Sequence, residues 1–391
     1  MPVPRRGAAQ NQIGGLRSFS ACARPSFGYL LCRMKIDHSL SGQRPGPDPG
    51  APPPEPGARA PGALLAPLSG VTDLHLRRIA RRCGASAVVS EMVAAEDLAR
   101  GSAEARLRAE GEGVRPHVVQ LAGCDPRWMA EGARLAEANG ADVIDVNMGC
   151  PAKKVTGGEA GSALMRDLDH AARLLAAVRE AVAVPVTVKM RLGWDDASRN
   201  APDLARRAEA LGLSAVTVHG RTRQQFYAGR ADWAAIRAVV EAVSIPVVAN
   251  GDVGSLAEAR ACLAESGAAA VMIGRAAVGR PWLVGAVAAG LRGAPAPALT
   301  RAAQADLAGE HYEGLLALYG VAMGVRHARK HLAAYADHAG GLAAGERARL
   351  VTTTDPAEAL ALLRRAFAGE GVAGEAAPAA EWAAPAAEWA A

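Results

Sequence analysis

The sequence has no pair of cysteines at the spacing of a metal site. Its six cysteines are scattered through 391 residues, and no Cys-x-x-Cys motif occurs. This spacing argues against a zinc site and against a disulfide framework, so we expect a metal-free protein of the reducing cytoplasm. The chain also lacks an uncharged apolar run of about 18 residues, and we therefore expect no membrane-spanning segment.

Lysine is also scarce: only five of the 44 basic residues are lysines. Arginine is the default cation, as is typical of proteins from GC-rich genomes, and each lysine stands out from that background. The 44 basic and 39 acidic residues leave a net charge of +5. This mild excess permits a polyanionic partner but does not require one.

The two ends of the sequence differ in composition from the middle. Residues 1–62 have no acidic residue before position 37 and are crowded with Pro, Gly and Ala after position 43. We expect either an Arg-rich targeting peptide or a start placed too early, with Met34 as the initiator. The weak amphipathic periodicity favours the second. Residues 369–391 are Ala-rich and end in two copies of Pro-Ala-Ala-Glu-Trp-Ala-Ala, which predicts a disordered tail.

In residues 63–298, apolar β-type runs alternate with amphipathic helical stretches. The eight runs are Ala63–Pro67, Ala87–Met92, Pro116–Ala122, Asp142–Met148, Val184–Met190, Ala215–His219, Ile245–Asn250 and Ala269–Gly274. The helical candidates between them include Pro126–Asn139, His170–Ala181, Pro202–Leu211, Trp233–Val243 and Leu256–Ser266. Eightfold strand–helix alternation predicts a closed (β/α)8 TIM barrel. A doubly wound open sheet is the alternative, but the Gly-x-Gly-x-x-Gly motif that usually follows its first strand is absent.

Residues 299–368 show only helical signals, so we expect a small all-helical C-terminal domain. Its helical candidates are Thr300–Leu318, Val325–His338 and Pro356–Phe367. The second candidate carries a basic patch formed by Arg326, His327, Arg329, Lys330 and His331. Such a charge run is commonly a solvated helix face.

A TIM barrel places its functional groups at the C-terminal ends of the strands. In this sequence almost every predicted strand ends in polar residues. These strand ends are Pro67-Leu68-Ser69, Ser90-Glu91, Gln120, Asn147 with Cys150, Lys189 with Arg191, His219 with Arg221, Asn250-Gly251-Asp252 and Gly274-Arg275. Any one of them could be a solvated loop residue or a helix cap. All eight together indicate a ligand site at this end of the barrel.

Four of these strand ends carry residues that suggest a chemical role. Pro151 cannot donate to a strand ladder, so Cys150 stands where a strand gives way to a loop; a buried structural cysteine is the alternative. The glycines of the last two loops and Arg275 suit a phosphate, which TIM barrels often bind there. Lys189 could stabilise negative charge on a reduced flavin, or form a salt bridge that lines the barrel.

Taken in order, these motifs resemble the flavin-dependent tRNA-dihydrouridine synthases. The similarity runs from Ala63 to His338, and Cys150–Val155 and Ile273–Trp282 are most similar to the bacterial B-type members. The residues that carry it are Pro67–Ser69, Ser90-Glu91-Met92, Val119–Gly123, Asn147–Pro151, Val188–Arg191, Val218–Thr222, Ala249–Asp252, Met272–Arg275 and Arg329–His331. Leu68 and Ser69 stand where Met and Ala are common in the family.

The resemblance implies an oxidoreductase that forms 5,6-dihydrouridine. FMN reduced by NADPH would give a hydride to carbon 6 of a D-loop uracil in tRNA, and Cys150 would protonate carbon 5. The residues implied around FMN are Pro67, Leu68, Ser69, Gln120, Lys189, His219, Asn250, Gly251, Asp252, Gly274 and Arg275. Those implied to contact tRNA are Asn147, Arg191, Arg221, Arg326, Arg329, Lys330 and His331. Ion pairs at the rim of the core would explain Arg191 and Arg221 equally well.

Two other functions fit parts of the sequence. A flavin barrel acting on a small pyrimidine or enone would share the phosphate loops, but it has no need of a basic helical domain. An RNA-binding protein that has lost its chemistry is the other alternative, against which the retention of Cys150, Lys189 and His219 argues. For the tRNA-dihydrouridine synthase that the resemblance implies, we expect a monomer.

Overall fold

The computed structural model of the protein describes residues 62–296 and 298–369. The predicted N-terminal extension up to residue 61 and the tail from residue 370 lie outside the described residues. Eight strands pair in parallel, in chain order, and the eighth pairs with the first to close a barrel. The strands are β1 (Gly62–Leu65), β2 (Ala87–Ala94), β3 (His117–Ala122), β4 (Val143–Met148), β5 (Val186–Arg191), β6 (Ala215–His219), β7 (Val247–Asn250) and β8 (Ala270–Ile273). The prediction of a TIM barrel is confirmed.

Helices follow the strands around the outside of the barrel. In chain order they are α1 (Leu74–Arg82), α2 (Ala95–Ala99), α3 (Ala103–Ala109), α4 (Pro126–Ala138), α5 (Lys153–Thr156), α6 (Leu168–Ala181), α7 (Ala201–Ala210), α8 (Trp233–Val240), α9 (Leu256–Ser266) and α10 (Trp282–Leu291). Short 3-10 turns span Gly161–Arg166, Asp196–Ser198 and Arg275–Ala277. Side chains cap many of the helices; for example, Asp73 accepts hydrogen bonds from the backbone N–H groups of His75 and Leu76 at the start of α1.

Successive side chains of each strand point alternately into the barrel and outward toward the helices. Residues at even spacing share one face of a strand, so Val143, Asp145 and Asn147 of β4 all point into the barrel, and the intervening Ile144 and Val146 pack under the helices. Inside the barrel, an apolar layer that includes Val143 lies at the N-terminal ends of the strands. Polar residues occupy the next layer, toward the C-terminal ends. The interior of the barrel is therefore apolar near the N-terminal ends of the strands and polar near their C-terminal ends. We call the opening at the C-terminal ends of the strands the mouth of the barrel.

The C-terminal region is helical, as predicted. Its helices are α11 (Arg301–Tyr319), α12 (Val321–Ala339), α13 (Ala344–Thr352) and α14 (Pro356–Ala368), and they share a core that includes Tyr312, Leu332 and Phe367. Helix α12 begins four residues before its predicted start. In the described part of the chain, no helix is both long and apolar enough to cross a membrane.

Glycine explains the early start of α12. Gly324 lowers helix propensity, yet a methyl group there would lie 2.8 Å from the carbonyl oxygen of Leu315, so the contact between α11 and α12 requires glycine. Gly320, at a φ of +74°, ends α11 and lets the chain turn directly into α12.

Candidate active site at the mouth of the barrel

A chain of buried hydrogen bonds links the adjacent strands β3, β4 and β5 inside the barrel, below its mouth. The side-chain amide of Asn147 donates to Gln120 (Nδ2 to Oε1, 2.8 Å), and Gln120 donates to Asp145 (Nε2 to Oδ2, 2.7 Å). Thr187 donates to the other oxygen of Asp145 (2.6 Å). Because each carbonyl or carboxylate oxygen accepts, the amide groups of Asn147 and Gln120 are fixed in one orientation, and each keeps one N–H for a further partner.

Asn147 also holds the turn that carries Cys150. Its Oδ1 accepts from the backbone N–H groups of Gly149 (3.2 Å) and Cys150 (3.0 Å). The carbonyl oxygen of Cys150 accepts from the backbone N–H and the hydroxyl of Ser162 (3.0 and 2.8 Å). The cysteine backbone is therefore fixed on both sides. Cys150 itself is partly exposed.

The environment of Cys150 favours the protonated thiol. Burial raises the pKa of this thiol above its ordinary value, and the N–H of Ala152 and the charges of Arg191 and Lys189 oppose that rise. Cys150 is therefore a thiol at neutral pH, close to cations that would favour its thiolate once a proton has left. A group of this kind suits general-acid chemistry.

Lys189 lies beside Asn147 in the pairing of β4 with β5. Burial lowers the pKa of its ammonium group to about 8, with a further lowering by Arg191, whereas Asp145 and Cys150 act in the opposite direction. The interpretation as a barrel-lining salt bridge finds partial support, because Asp145 is the nearby carboxylate. Lys189 is half-buried as a residue, however, so part of it stays open to solvent.

Arg191 and Arg221 hold loops from inside the protein. Arg221 pairs with Asp252 (Nη2 to Oδ2, 2.6 Å) and donates to the carbonyl oxygen of Ala228 (3.1 Å). Arg191 donates to the carbonyl oxygens of Gly149, Thr222 and Phe226 (2.9, 2.9 and 2.8 Å). They are 1% and 2% exposed, respectively. The ion-pair alternative fits Arg221, and both residues act here as supports for the mouth.

The loop after β7 has an unusual backbone. Gly251 has a φ of +122°, and a methyl group there would lie 2.6 Å from Cβ of Ala231 and 2.9 Å from Cδ2 of His219. Asp252 has a φ of +54°, in the left-handed region that disfavours most residues. Its carboxylate binds Arg221, Arg275 (3.4 Å) and the N–H of Ala231 (2.7 Å). These contacts hold the loop and leave the exposed guanidinium of Arg275 at the rim.

His219 is a buried histidine at the mouth that lies close to several cationic side chains. Its pKa lies well below the ordinary value because of burial first, and then because of the charges of Arg191, Lys189, Arg221 and Arg275. The imidazole is therefore neutral beside these cations, two of which, Arg221 and Arg275, pair with Asp252. An anion bound among these side chains would relieve the repulsion between them, so the donor set fits a phosphate group.

The mouth contains a residue that the sequence argument did not single out. Tyr227 is 40% exposed, and its ring lies between the guanidinium groups of Arg191 (5.6 Å) and Arg275 (5.0 Å). Phe226, at a φ of +54°, packs edge-on against it. The sequence did contain a signal for this residue, namely the adjacent aromatic residues Phe226 and Tyr227 in the loop that follows His219-Gly220-Arg221.

The remaining predicted site residues frame the mouth. Pro67, Leu68 and Ser69 form a half-buried loop after β1, closed by a hydrogen bond from the N–H of Leu68 to Thr72 (3.0 Å). The nearest atoms to a methyl group placed on Gly274 would be those of Ala66 and Leu68, both at 3.8 Å. Asn250 donates to the carbonyl oxygen of Met272 (2.8 Å), so its side chain ties β7 to β8.

The predicted basic patch on α12 is divided in the structure. Arg326 and Arg329 are exposed, but Lys330 is half-buried and reaches toward the loop after β1. His331 is 2% exposed, so its assignment to a surface patch is wrong. The reason is helical periodicity, because successive residues point about 100° apart and only positions three or four apart share a face.

Comparison with known proteins places the chain in a family. The family model for dihydrouridine synthase (Dus) matches residues 64–370. A probable tRNA-dihydrouridine synthase of Rhizobium leguminosarum bv. phaseoli is 55% identical over 305 residues, which cover 78% of this chain and 94% of that protein. One from Rhodobacter capsulatus is 53% identical over 310 residues, covering 78% and 95%. The tRNA-dihydrouridine synthase B of Xanthomonas campestris pv. campestris is 48% identical over 311 residues, covering 79% and 93%. The chain belongs to the dihydrouridine synthase family.

Proposed function

We propose that this protein is an FMN-dependent tRNA-dihydrouridine synthase that uses NADPH as its reductant. The observation that carries the proposal is the position of Cys150, a partly exposed residue at the end of β4, on a turn held by Asn147 and near the charges of Arg191 and Lys189. In this proposal, residues 63–298 are the catalytic domain and residues 299–368 bind the RNA.

The mouth offers a binding site for FMN. The positive potential around His219 fits the cofactor phosphate, with Arg275 at the rim and the backbone of Gly251 and Gly274 able to approach it closely. The residues proposed to hold FMN are Pro67, Leu68, Ser69, Gln120, Lys189, His219, Asn250, Gly251, Asp252, Gly274 and Arg275. Bound FMN, reduced by NADPH, would supply the hydride for carbon 6 of the uracil.

Cys150 would supply the proton. Its S–H bond breaks as a C–H bond forms at carbon 5 of the uracil, and the electron pair stays on sulfur. The resulting thiolate lies near Arg191 and Lys189, whose charges favour it, and solvent returns the proton. Asn147 retains one N–H that can orient a carbonyl oxygen of the uracil, and Gln120 retains one that can face the flavin.

The RNA would approach the mouth along α12. Arg326 and Arg329 are exposed on this helix, where they can contact phosphates of tRNA. Lys153 and Lys154 are exposed on α5, in the loop that follows Cys150, and can contact the same strand close to the target uridine. The fixed arginines Arg191 and Arg221 would support the substrate site from beneath, without touching the RNA.

The purified protein tests this proposal. We expect a yellow flavin spectrum, bleaching by NADPH, and dihydrouridine in a previously unmodified tRNA, measured by mass spectrometry of its nucleosides. A colourless protein that takes up no added FMN would overturn the cofactor assignment. Turnover of free uridine or uracil but not of tRNA would replace the RNA part of the proposal with a small-pyrimidine reductase.

A further inference from the structure

We propose that Lys330 is a positioning residue for the loop after β1, residues 67–70, and that it does not act as a phosphate contact like its neighbour Arg329. The inference rests on the proposed function only in that this loop lies against the flavin. It assigns different tasks to two adjacent cations, which the sequence placed together in one patch.

Lys330 reaches the loop from the helical region. A methyl group in place of a hydrogen of Gly70 would lie 2.9 Å from Nζ of Lys330, and Gly70 has a φ of +69°. The N–H of Gly70 donates to a carboxylate oxygen of Glu91. The loop is therefore held by Glu91 of the barrel and also approached by Lys330 of α12.

The carboxylate of Glu91 is aimed at the loop by an irregularity in β2. The register between β2 and β3 shifts between Val89 and Met92, as at a β-bulge, which can redirect a side chain next to a site. Glu91 is only 3% exposed. A buried carboxylate is costly unless it is paired, so this position needs a nearby cation.

Lys330 supplies part of that compensation. Burial raises the pKa of Glu91, against which the Gly70 N–H and then the charges of Arg108 and Lys330 act. Burial lowers the pKa of Lys330, and the charge of Glu91 opposes this most strongly, followed by that of Asp73. The two groups thus favour each other's charged forms at the junction between barrel and helical region.

A hydrogen-bonded cluster fixes α12 in this position. Asp73, which caps α1 just after the loop, accepts from Nε2 of His311 (3.0 Å), and Nδ1 of His311 meets the hydroxyl of Tyr335 on α12 (3.0 Å). His331 lies 3.9 Å from the same oxygen of Asp73. Asp73, His311 and His331 lie close enough together to hold a metal cation. However, 3.0 Å is a hydrogen-bond distance, and Lys330 and Arg77 already place positive charge near Asp73.

The test compares Lys330→Met with Arg329→Met in the full-length protein. For Lys330→Met we expect FMN to bind roughly tenfold more weakly, a shifted flavin absorption band, and an unchanged salt dependence of tRNA binding. For Arg329→Met we expect unchanged FMN affinity and a salt slope that is smaller by about one. Lys330→Arg should restore most of the FMN affinity. A Lys330→Met protein with normal FMN affinity and a reduced salt slope would overturn the inference.

A second measurement does not depend on flavin. We expect Lys330→Met to lower the Tm of the flavin-free protein by a few degrees, because Glu91 loses a compensating charge. Adding Glu91→Gln should recover most of that loss, whereas adding it to Arg329→Met should not. Equal effects of Glu91→Gln in both backgrounds would contradict the proposed pairing. If the wild-type protein binds no FMN, the proposed function fails. The comparison of Tm values among these single and double variants still tests the pairing of Lys330 with Glu91.

Discussion

Two groups of arginines in this protein differ in burial and in the number of their hydrogen-bond partners. At the mouth of the barrel, Arg191 and Arg221 are buried and each donates to several fixed acceptors. On α12, Arg326 and Arg329 are exposed to solvent. The mouth therefore has a preorganised geometry that suits a small ligand with a fixed shape. The exposed pair suits a long, flexible anion whose affinity depends on counterion release.

The two groups also respond to different conditions. Burial and the charge of Arg191 bring the pKa of Lys189 to about 8, so the charge of the mouth changes in the pH range where enzymes are assayed. Exposed arginines stay charged throughout that range, but salt screens them. Activity at the mouth should therefore depend on pH, and binding along α12 on ionic strength.

Removing the thiol should produce the largest effect. We expect Cys150→Ala to lower the rate of dihydrouridine formation by about 10²- to 10⁴-fold, because general-acid catalysis contributes that much, while the yellow colour and FMN affinity persist. Mass spectrometry of tRNA nucleosides measures the first, and visible absorbance the second. Cys262→Ala is the control, since this cysteine is buried on the inner face of α9. Full activity of Cys150→Ala would show that the proton comes from elsewhere.

The charge of Lys189 should set the alkaline limit of the reaction. Its ammonium is charged below its pKa of about 8 and neutral above it, so the rate of flavin reoxidation by tRNA should fall as pH rises through that value. In Lys189→Arg the fall should disappear, because a guanidinium stays charged. Lys189→Met should be slow at every pH. A wild-type profile that stays flat from pH 7 to 9 would remove Lys189 from the reacting centre.

Gly251 tests whether the mouth is rigid. We expect Gly251→Ala to reduce the free energy of unfolding by about 1–3 kcal/mol, because the new methyl group clashes with Ala231 and His219 and the backbone φ is unfavourable. Urea unfolding measures this. In Gly345→Ala on α13, no heavy atom lies within 4 Å of the new methyl group, so stability should be equal or higher. Equal stability of the two variants would mean that the loop adapts freely.

The fold was predictable because the strand pattern is local. Each of the eight predicted runs overlaps a strand of the barrel, and alternation along β4 already places Asp145 and Asn147 on one face. Helix α13 was not predicted, since Ala344–Thr352 is a short, arginine-containing segment whose position depends on packing against α12 and α14. Local pattern thus gave the architecture but not every element of the helical region.

The partners of the site residues were less predictable. The pairing of Arg221 with Asp252 depends on a left-handed backbone at Asp252, which nothing in the sequence specifies. The inward direction of Lys330 and His331 depends on which face of α12 packs against the barrel. The sequence shows only that cations are adjacent, whereas docking through Asp73 and His311 decides which of them point outward.

The exposed cations should give the smallest effects. We expect Arg326→Ala to weaken tRNA binding a few-fold and to reduce the slope of log affinity against log salt by about one, because one phosphate contact is lost. Fluorescence anisotropy at several salt concentrations measures both. Arg206→Ala is the matched control, since Arg206 is exposed on α7 and pairs with Asp203 on the outside of the barrel. An equal slope change in the two variants would argue against an RNA path along α12.

One rapid-mixing measurement tests the central claim most directly. The flavoprotein is reduced with NADPH and mixed anaerobically with tRNA that lacks dihydrouridine, and the return of flavin absorbance is followed. We predict fast reoxidation by this tRNA, and little by the same tRNA after the enzyme has modified it. Reoxidation at the same slow rate by both tRNAs would contradict the account, because the flavin would then have no acceptor in the uridine.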